Sequence, residues 1–412
     1  MISSLLYPKN QWIILAFSIF IFYSVIPYCV SFYSQGEEFE KLALLGFCSS
    51  VTLFLVSLIF INLKKNNIRT PVYNSLMIYG VLFLFLLHFL VTVATAPSVP
   101  LLDALRGGSR ESMAIARESF LKDRSGVLSS LVYLNAILTS TFLPYILILS
   151  FNINSKVRWI ILNIFFVFSL SFLSKVFFLK WAAPLAAYFL GKEGKTLIGK
   201  VKFMSVIIFS VVLISFNIII SKFGTLENLS ISSDVNPSVY FSSSYSKHLQ
   251  DGSAFDFFLW RLVSVPIFTA SDSLVVFNDY YNNQYLYGST NGTVASVFNI
   301  ERIRFERILF SYQWRSGIDA GTKSSNAVYF IESYINFGYI GVLIFSVISS
   351  WLLVAFGYSS NVAVSCLAPL LTLGLFTGGL LGLLFGNGFL LFFFVYYIFS
   401  RKAQFAVNEI PR

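Results

Sequence analysis

Residues 42–63 read Leu42-Ala-Leu-Leu-Gly-Phe-Cys-Ser-Ser-Val-Thr-Leu-Phe-Leu-Val-Ser-Leu-Ile-Phe-Ile-Asn-Leu63, with Glu37, Glu38 and Glu40 before them and Lys64, Lys65 and Arg69 after. An uncharged helix of this length crosses the ~30 Å hydrocarbon layer of a bilayer. Its basic flank marks the cytoplasmic end and its acidic flank the opposite one, because lysine and arginine accumulate in cytoplasmic loops. This one run therefore gives both the solvent and a direction.

Runs of the same kind recur along the chain: Gln11–Phe32, Val72–Ala94, Val127–Phe151, Val157–Leu173, Val176–Leu190, Val201–Ser221, Ala327–Phe356, Val362–Thr377 and Gly379–Ser400. With Leu42–Leu63 they make ten expected spans, which place both termini in the cytoplasm. The basic linkers 64–70, 152–156 and 191–200 and the tail from Arg401 fall on the same side. The expected fold is an all-α polytopic membrane protein, one integral domain over 1–412. The first apolar run has no small-residue cleavage site after it, and is expected to stay as a helix.

Composition agrees. Of 412 residues 56% are hydrophobic and 12% charged, about half the charge that covers a soluble domain. The net charge of +10 is carried by the cytoplasm-assigned segments, so it orients helices and is no sign of nucleic acid. Cys29, Cys48 and Cys366 lie in apolar runs without a shared spacing and read as small buried hydrophobes. No phosphate-cradling glycine loop, no paired aspartates for a nucleotide-sugar metal and no Cys/His cluster occur, so neither metal nor cofactor is expected.

Two outer loops stand apart from the short connections: residues 95–126, dense in charge, and residues 222–326, the only stretch large enough for a substantial structure outside the bilayer. The spans on either side of Ser174-Lys175 are short, and Lys180 falls within one of them, where it must snorkel or meet a polar cavity.

Four constellations are candidates for chemistry. In the first loop Ser109 is a plausible N-cap and Gly126 a stop, bracketing a helix on which Arg110, Arg117 and Arg124 share a ~40° stripe at about 100° per residue. With Arg106 they form a guanidinium array suited to phosphates; pairing with Glu111, Glu118 and Asp123 or with lipid headgroups explains a surface helix equally well. In the second loop Arg302, Arg304, Arg307, Arg315 and Lys323 gather just before the chain re-enters the membrane, where internal pairs such as Arg302 with Glu306 are the simpler account. Lys175 is an interfacial anchor or a phosphate ligand. The fourth is Ser324-Ser-Asn326-Ala-Val-Tyr329-Phe-Ile-Glu332-Ser-Tyr-Ile-Asn336-Phe-Gly338-Tyr-Ile-Gly341: two glycines for close packing, and a carboxylate that is costly in an apolar zone without a partner.

Glu332-x-Tyr-x-Asn-Phe-Gly338-x-x-Gly341, Ser174-Lys175 and the first-loop arginines resemble features of Wzy-type O-antigen polymerases. The wider likeness is one of topology, many short-looped helices with two unequal outer loops. It implies an architecture of the GT-C-like polymerase and ligase kind in a bacterial inner membrane, with the active site facing the periplasm. The implied reaction, within lipopolysaccharide biosynthesis, joins repeat units carried on undecaprenyl diphosphate. Donor and acceptor glycans are then the partners, with membrane lipid and a chain-length regulator protein as further candidates. The resemblance implies diphosphate binding by the cations named above, acceptor-sugar contacts from Asn326 and Tyr329, and a base at Glu332, with Asp319 or Glu118 as alternates. Related O-antigen ligases often carry a histidine where Lys323-Ser-Ser-Asn326 stands here, which favours polymerase over ligase. A flippase or other transporter, or a receptor whose large loop binds a partner, fits the same hydropathy.

Overall fold

Uninterrupted apolar sequence forms helix because lipid leaves backbone polar groups no other partners. The protein, seen as a computed structural model, is described for residues 7–33, 37–63, 75–107, 110–121, 124–153, 155–172, 175–193, 199, 201–210, 263–313, 325, 328–396 and 398, and no strand occurs among them. The helices are α1 (Pro8–Ser31), α2 (Glu37–Leu63), α3 (Ser75–Thr95), α4 (Pro100–Leu105), α5 (Arg110–Leu121), α6 (Gly126–Asn152), α7 (Val157–Phe172) and α8 (Lys175–Glu193). They continue as α9 (Val201–Ser210), α10 (Val265–Tyr281), α11 (Gly292–Val297), α12 (Phe305–Gln313), α13 (Tyr329–Gly357) and α14 (Val362–Thr377).

Helices α1, α2, α3, α6 and α13 are long and apolar enough to cross a membrane. They show large apolar side chains outward, among them Phe17, Leu76, Phe83, Leu90 and Ile340, as suits a lipid-facing surface. Among the described residues the ten expected spans are represented by five full-length helices and shorter apolar ones. Helix α7, 16 residues long, reaches only about 24 Å. The expected span Gly379–Ser400 is not one helix: a π-helical turn occupies Gly382–Gly386, Gly388 takes a φ of +76°, and a separate helix follows over 389–396. Cys366 is buried, but Cys29 is exposed on α1, contrary to its reading as a buried residue.

The most extensive helix pair is α2 with α13. Small polar residues let the two approach: Ser49 Oγ lies 2.7 Å from the Tyr329 hydroxyl and 3.1 Å from Ser346 Oγ, and Ser350 Oγ donates to Leu53 O at 3.1 Å. Lys180, on α8, donates to Thr139 Oγ1 at 2.9 Å within the π-turn Leu138–Phe142 of α6, which answers how that cation is accommodated.

Helix α13 breaks at Gly338, whose φ of 65° and ψ of −156° belong to a region that side chains exclude. The break frees carbonyls, and the chain after α10 fills them. Leu286 N–H donates to Ile335 O at 3.1 Å and Tyr287 N–H to Asn336 O at 3.0 Å. Asn336 accepts from Gly288 N–H at 2.8 Å and donates to Thr290 Oγ1 at 2.9 Å and to Glu332 O at 2.7 Å. The pair Gly338 and Gly341 thus serves a local kink: a Cβ on Gly341 would meet Ser333 O and Phe337 of its own helix. Close packing against a second helix, the expected role, is not what these two positions do.

Candidate functional site

Where the second loop meets the bundle there is a cavity of about 460 Å³. Thr290, Asn291 and Arg302 line it from the loop, Glu332 from the first turn of α13, and Thr377 to Gly379 from the end of α14. Each wall has a local cause. Asn291 caps α11, its Oδ1 accepting from Thr293 N–H at 3.0 Å and Val294 N–H at 3.2 Å. Phe305 and Leu309 on α12 bury their rings and branches, which turns Glu306 toward the cavity beside them. Helix α14 ends at Thr377, and Gly378 and Gly379 carry the chain across to the next short helix.

Glu332 reaches over this glycine pair. Its Oε2 accepts from Leu381 N–H at 3.4 Å, and a Cβ on Gly379 would overlap the carboxylate. A carboxylate at the amide end of a helical turn is favoured by the unpaired N–H groups there. Glu332 therefore has a structural partner as well as a place on the cavity wall. Arg302 Nη2 lies 3.3 Å from Glu306 Oε1, a pair open enough to water that its mutual attraction is small. Among the described residues the cavity holds one guanidinium, two carboxylates and a ring of amides and hydroxyls, an inventory suited to a polar ligand with an anionic part.

Four other expected site residues lie outside the cavity lining. Arg304 and Arg307 are exposed on the loop surface outside the cavity lining, and Arg106 is exposed at the end of α4. Tyr329 is fully buried, its hydroxyl shared between Ser49 and Ser346, so it faces the α2 interface and not the cavity. Arg110 opens α5, Glu118 lies within it and Lys175 opens α8; only their backbone positions are described. Arg315, Asp319, Lys323 and Asn326 lie outside the described residues.

The arginine helix differs from expectation. It is described over Arg110–Leu121, and Arg124 lies outside the helix and turns back. Its guanidinium donates to Thr95 Oγ1, to Thr92 O at 2.9 Å and to Phe120 O at 2.7 Å, closing the carboxyl ends of α3 and α5. Arg117 is half-buried on α5. Helix α5 packs chiefly on α4 and α3, and among the described residues none of 95–126 lines the cavity.

Two residues not singled out from the sequence stand behind the cavity, linked to it through Ser325. Asp272, on α10, is 3% exposed and its Oδ2 accepts from Gln313 Nε2 at 2.7 Å. Gln313 Oε1 in turn accepts from Ser325 Oγ at 2.7 Å, and Ser325 lines the cavity. A signal was present: Asp272 is the only charge between Val265 and Phe277, within a loop otherwise read as polar. Burial pushes its carboxyl up to about 7, against the Gln313 hydrogen bond and with the charge of Glu38 adding.

No protein-family model, curated protein or solved structure matches the chain. What the fold and the cavity define is a class, a helical membrane protein with a polar pocket where a folded loop meets the helix ends.

Proposed function

We propose that the protein is a glycosyltransferase of the O-antigen polymerase kind. It would join oligosaccharide repeat units carried on undecaprenyl diphosphate at the periplasmic face of a bacterial inner membrane. The observation that carries this reading is the sharing of one cavity by Arg302, Glu306 and Glu332 at the junction of loop and bundle. Its volume is within the range of sites that take ligands of a few rings.

In this reading an acceptor hydroxyl oxygen attacks the anomeric carbon of the donor glycan. The bond from that carbon to the lipid diphosphate breaks, and its electron pair leaves with the diphosphate. Arg302 faces the charge that grows there, and its planar N–H groups match the oxygens of a diphosphate. The acceptor proton passes to a carboxylate, with Glu332 the better placed because it is held from behind by Leu381. The test is deletion of the gene followed by a gel of surface polysaccharide. Loss of the ladder with a single repeat unit retained supports polymerisation.

A transporter of lipid-linked oligosaccharide is the second reading. Lys180, inside an apolar helix and bonded to Thr139, is the kind of intramembrane cation that transport pathways use. Loss of single-unit material along with the ladder supports that reading.

A further inference from the structure

Ser325 is held at both of its polar ends. Its N–H donates to Glu306 O at 3.0 Å, and its Oγ donates to Gln313 Oε1 at 2.7 Å. Gln313 is fixed in turn by Asp272, and both of those side chains are buried, at 7% and 3% exposed. The amide turns its nitrogen to Asp272 Oδ2, an oxygen that accepts whether or not the other carboxyl oxygen holds a proton, and its oxygen to Ser325. That orientation commits the single serine proton to Gln313. What remains for the cavity is an oxygen with lone pairs, able to accept a hydrogen bond and unable to give one.

Such a group discriminates between the two halves of a glycan diphosphate. A sugar hydroxyl can donate to it; a diphosphate oxygen, itself an acceptor, is repelled. Arg302, on the same cavity, has the opposite preference, since a guanidinium only donates. We propose that Ser325 binds a sugar hydroxyl in the cavity, that Gln313 and Asp272 are its positioning residues, and that the ligand therefore lies with its glycan toward Ser325 and its diphosphate toward Arg302. This rests on the glycosyl-transfer reading and adds the direction in which the substrate lies.

The polarity of the chain can be tested on the full-length protein in detergent micelles by titration calorimetry with two separate probes. One is oligosaccharide released by mild acid from the host cell's own surface polysaccharide, which carries no diphosphate; the other is inorganic pyrophosphate. Ser325→Ala should weaken oligosaccharide binding about five- to tenfold, as loss of one hydrogen bond does, and leave pyrophosphate binding unchanged. Gln313→Met, which fills the same space without polar atoms, should weaken the oligosaccharide likewise, and Ser325→Thr should restore it. Arg302→Ala should show the reverse selectivity. The inference is overturned if Ser325→Ala binds the oligosaccharide as the wild type does, or loses both probes equally at an unchanged melting temperature. Wild-type protein that binds neither probe overturns the glycosyl-transfer reading itself.

Discussion

The Glu332 carboxylate occupies the space that a side chain on Gly379 would need, with Leu381 N–H 3.4 Å from its Oε2. One residue stands in the first turn of α13 and the other in the crossing after α14, so the acid that lines the cavity also fastens two helix ends together. Gly379→Ala displaces the carboxylate, the far end of a flexible side chain, and should destabilise the protein by about 0.5–1.5 kcal/mol, the worth of the Leu381 hydrogen bond it gives up. Thermal unfolding in detergent measures this; an unchanged transition would show that Glu332 is not held there.

Glu332→Gln separates fastening from chemistry. The amide oxygen can still accept from Leu381, so the melting temperature should stay within a few degrees. Polymer formation should fall at least about 100-fold if the carboxylate takes the acceptor proton. A ladder of normal length and amount in this variant removes Glu332 from the reaction.

Gly338→Ala meets two obstacles at once. A φ of 65° with a ψ of −156° is strained for any side chain, by about 1–3 kcal/mol, and the new methyl would lie 2.7 Å from the Tyr285 hydroxyl oxygen. Pairing it with Tyr285→Phe should recover only the part owed to the hydroxyl. Full recovery in the double variant would mean that the backbone carries no strain there.

Arg302→Ala should leave unfolding almost unmoved, because an open i,i+4 pair contributes about 0.3–0.5 kcal/mol. The long polysaccharide ladder should shorten or vanish nonetheless. Arg124→Ala should behave the other way. Removing its contacts to Thr92 O and Phe120 O should lower stability by about 1–3 kcal/mol. Melting curves and gels run on both variants tell the two roles apart.

Stability should also depend on pH through Asp272. Its carboxyl stands at about 7 in the fold against 3.8 when solvated, chiefly through burial, so the folded state favours the protonated form. The stabilising contribution is fully present below about pH 4 and is lost as pH rises through about 7, by about 1.4 kcal/mol for each pH unit of that window. Asp272→Asn keeps an oxygen for Gln313 and lacks the titration. Between pH 5 and pH 8 the wild type should therefore lose stability relative to the variant; parallel curves would argue that the carboxyl titrates normally.

Apolar run length made the membrane helices readable in residues, because a bilayer constrains each span on its own. Glu332 was legible for the same reason: a carboxylate beside an apolar run needs an explanation wherever it occurs. Arg302 and Glu306 stood out by their charge, whereas Thr377 to Gly379 and Asn291 did not, since they are ordinary residues in their own neighbourhoods and meet only after folding. The arginine stripe misled at Arg124 because that residue lies outside the helix, where the carbonyls of Thr92 and Phe120 hold its guanidinium. Asp272 was hidden by treating 222–326 as one polar loop, although its apolar neighbours pack it beneath α12.

The break in α13 bears on biogenesis. A bilayer offers nothing to the carbonyls of Ile335 and Asn336, so they are satisfied only once residues 286–288 have docked. Those residues are synthesised before α13, and must wait on the side of the membrane where the start of α13 will arrive. Lengthening the connection that follows α12 would delay that meeting. It should leave the folded protein no less stable, yet lower the fraction of newly made chains that reach it.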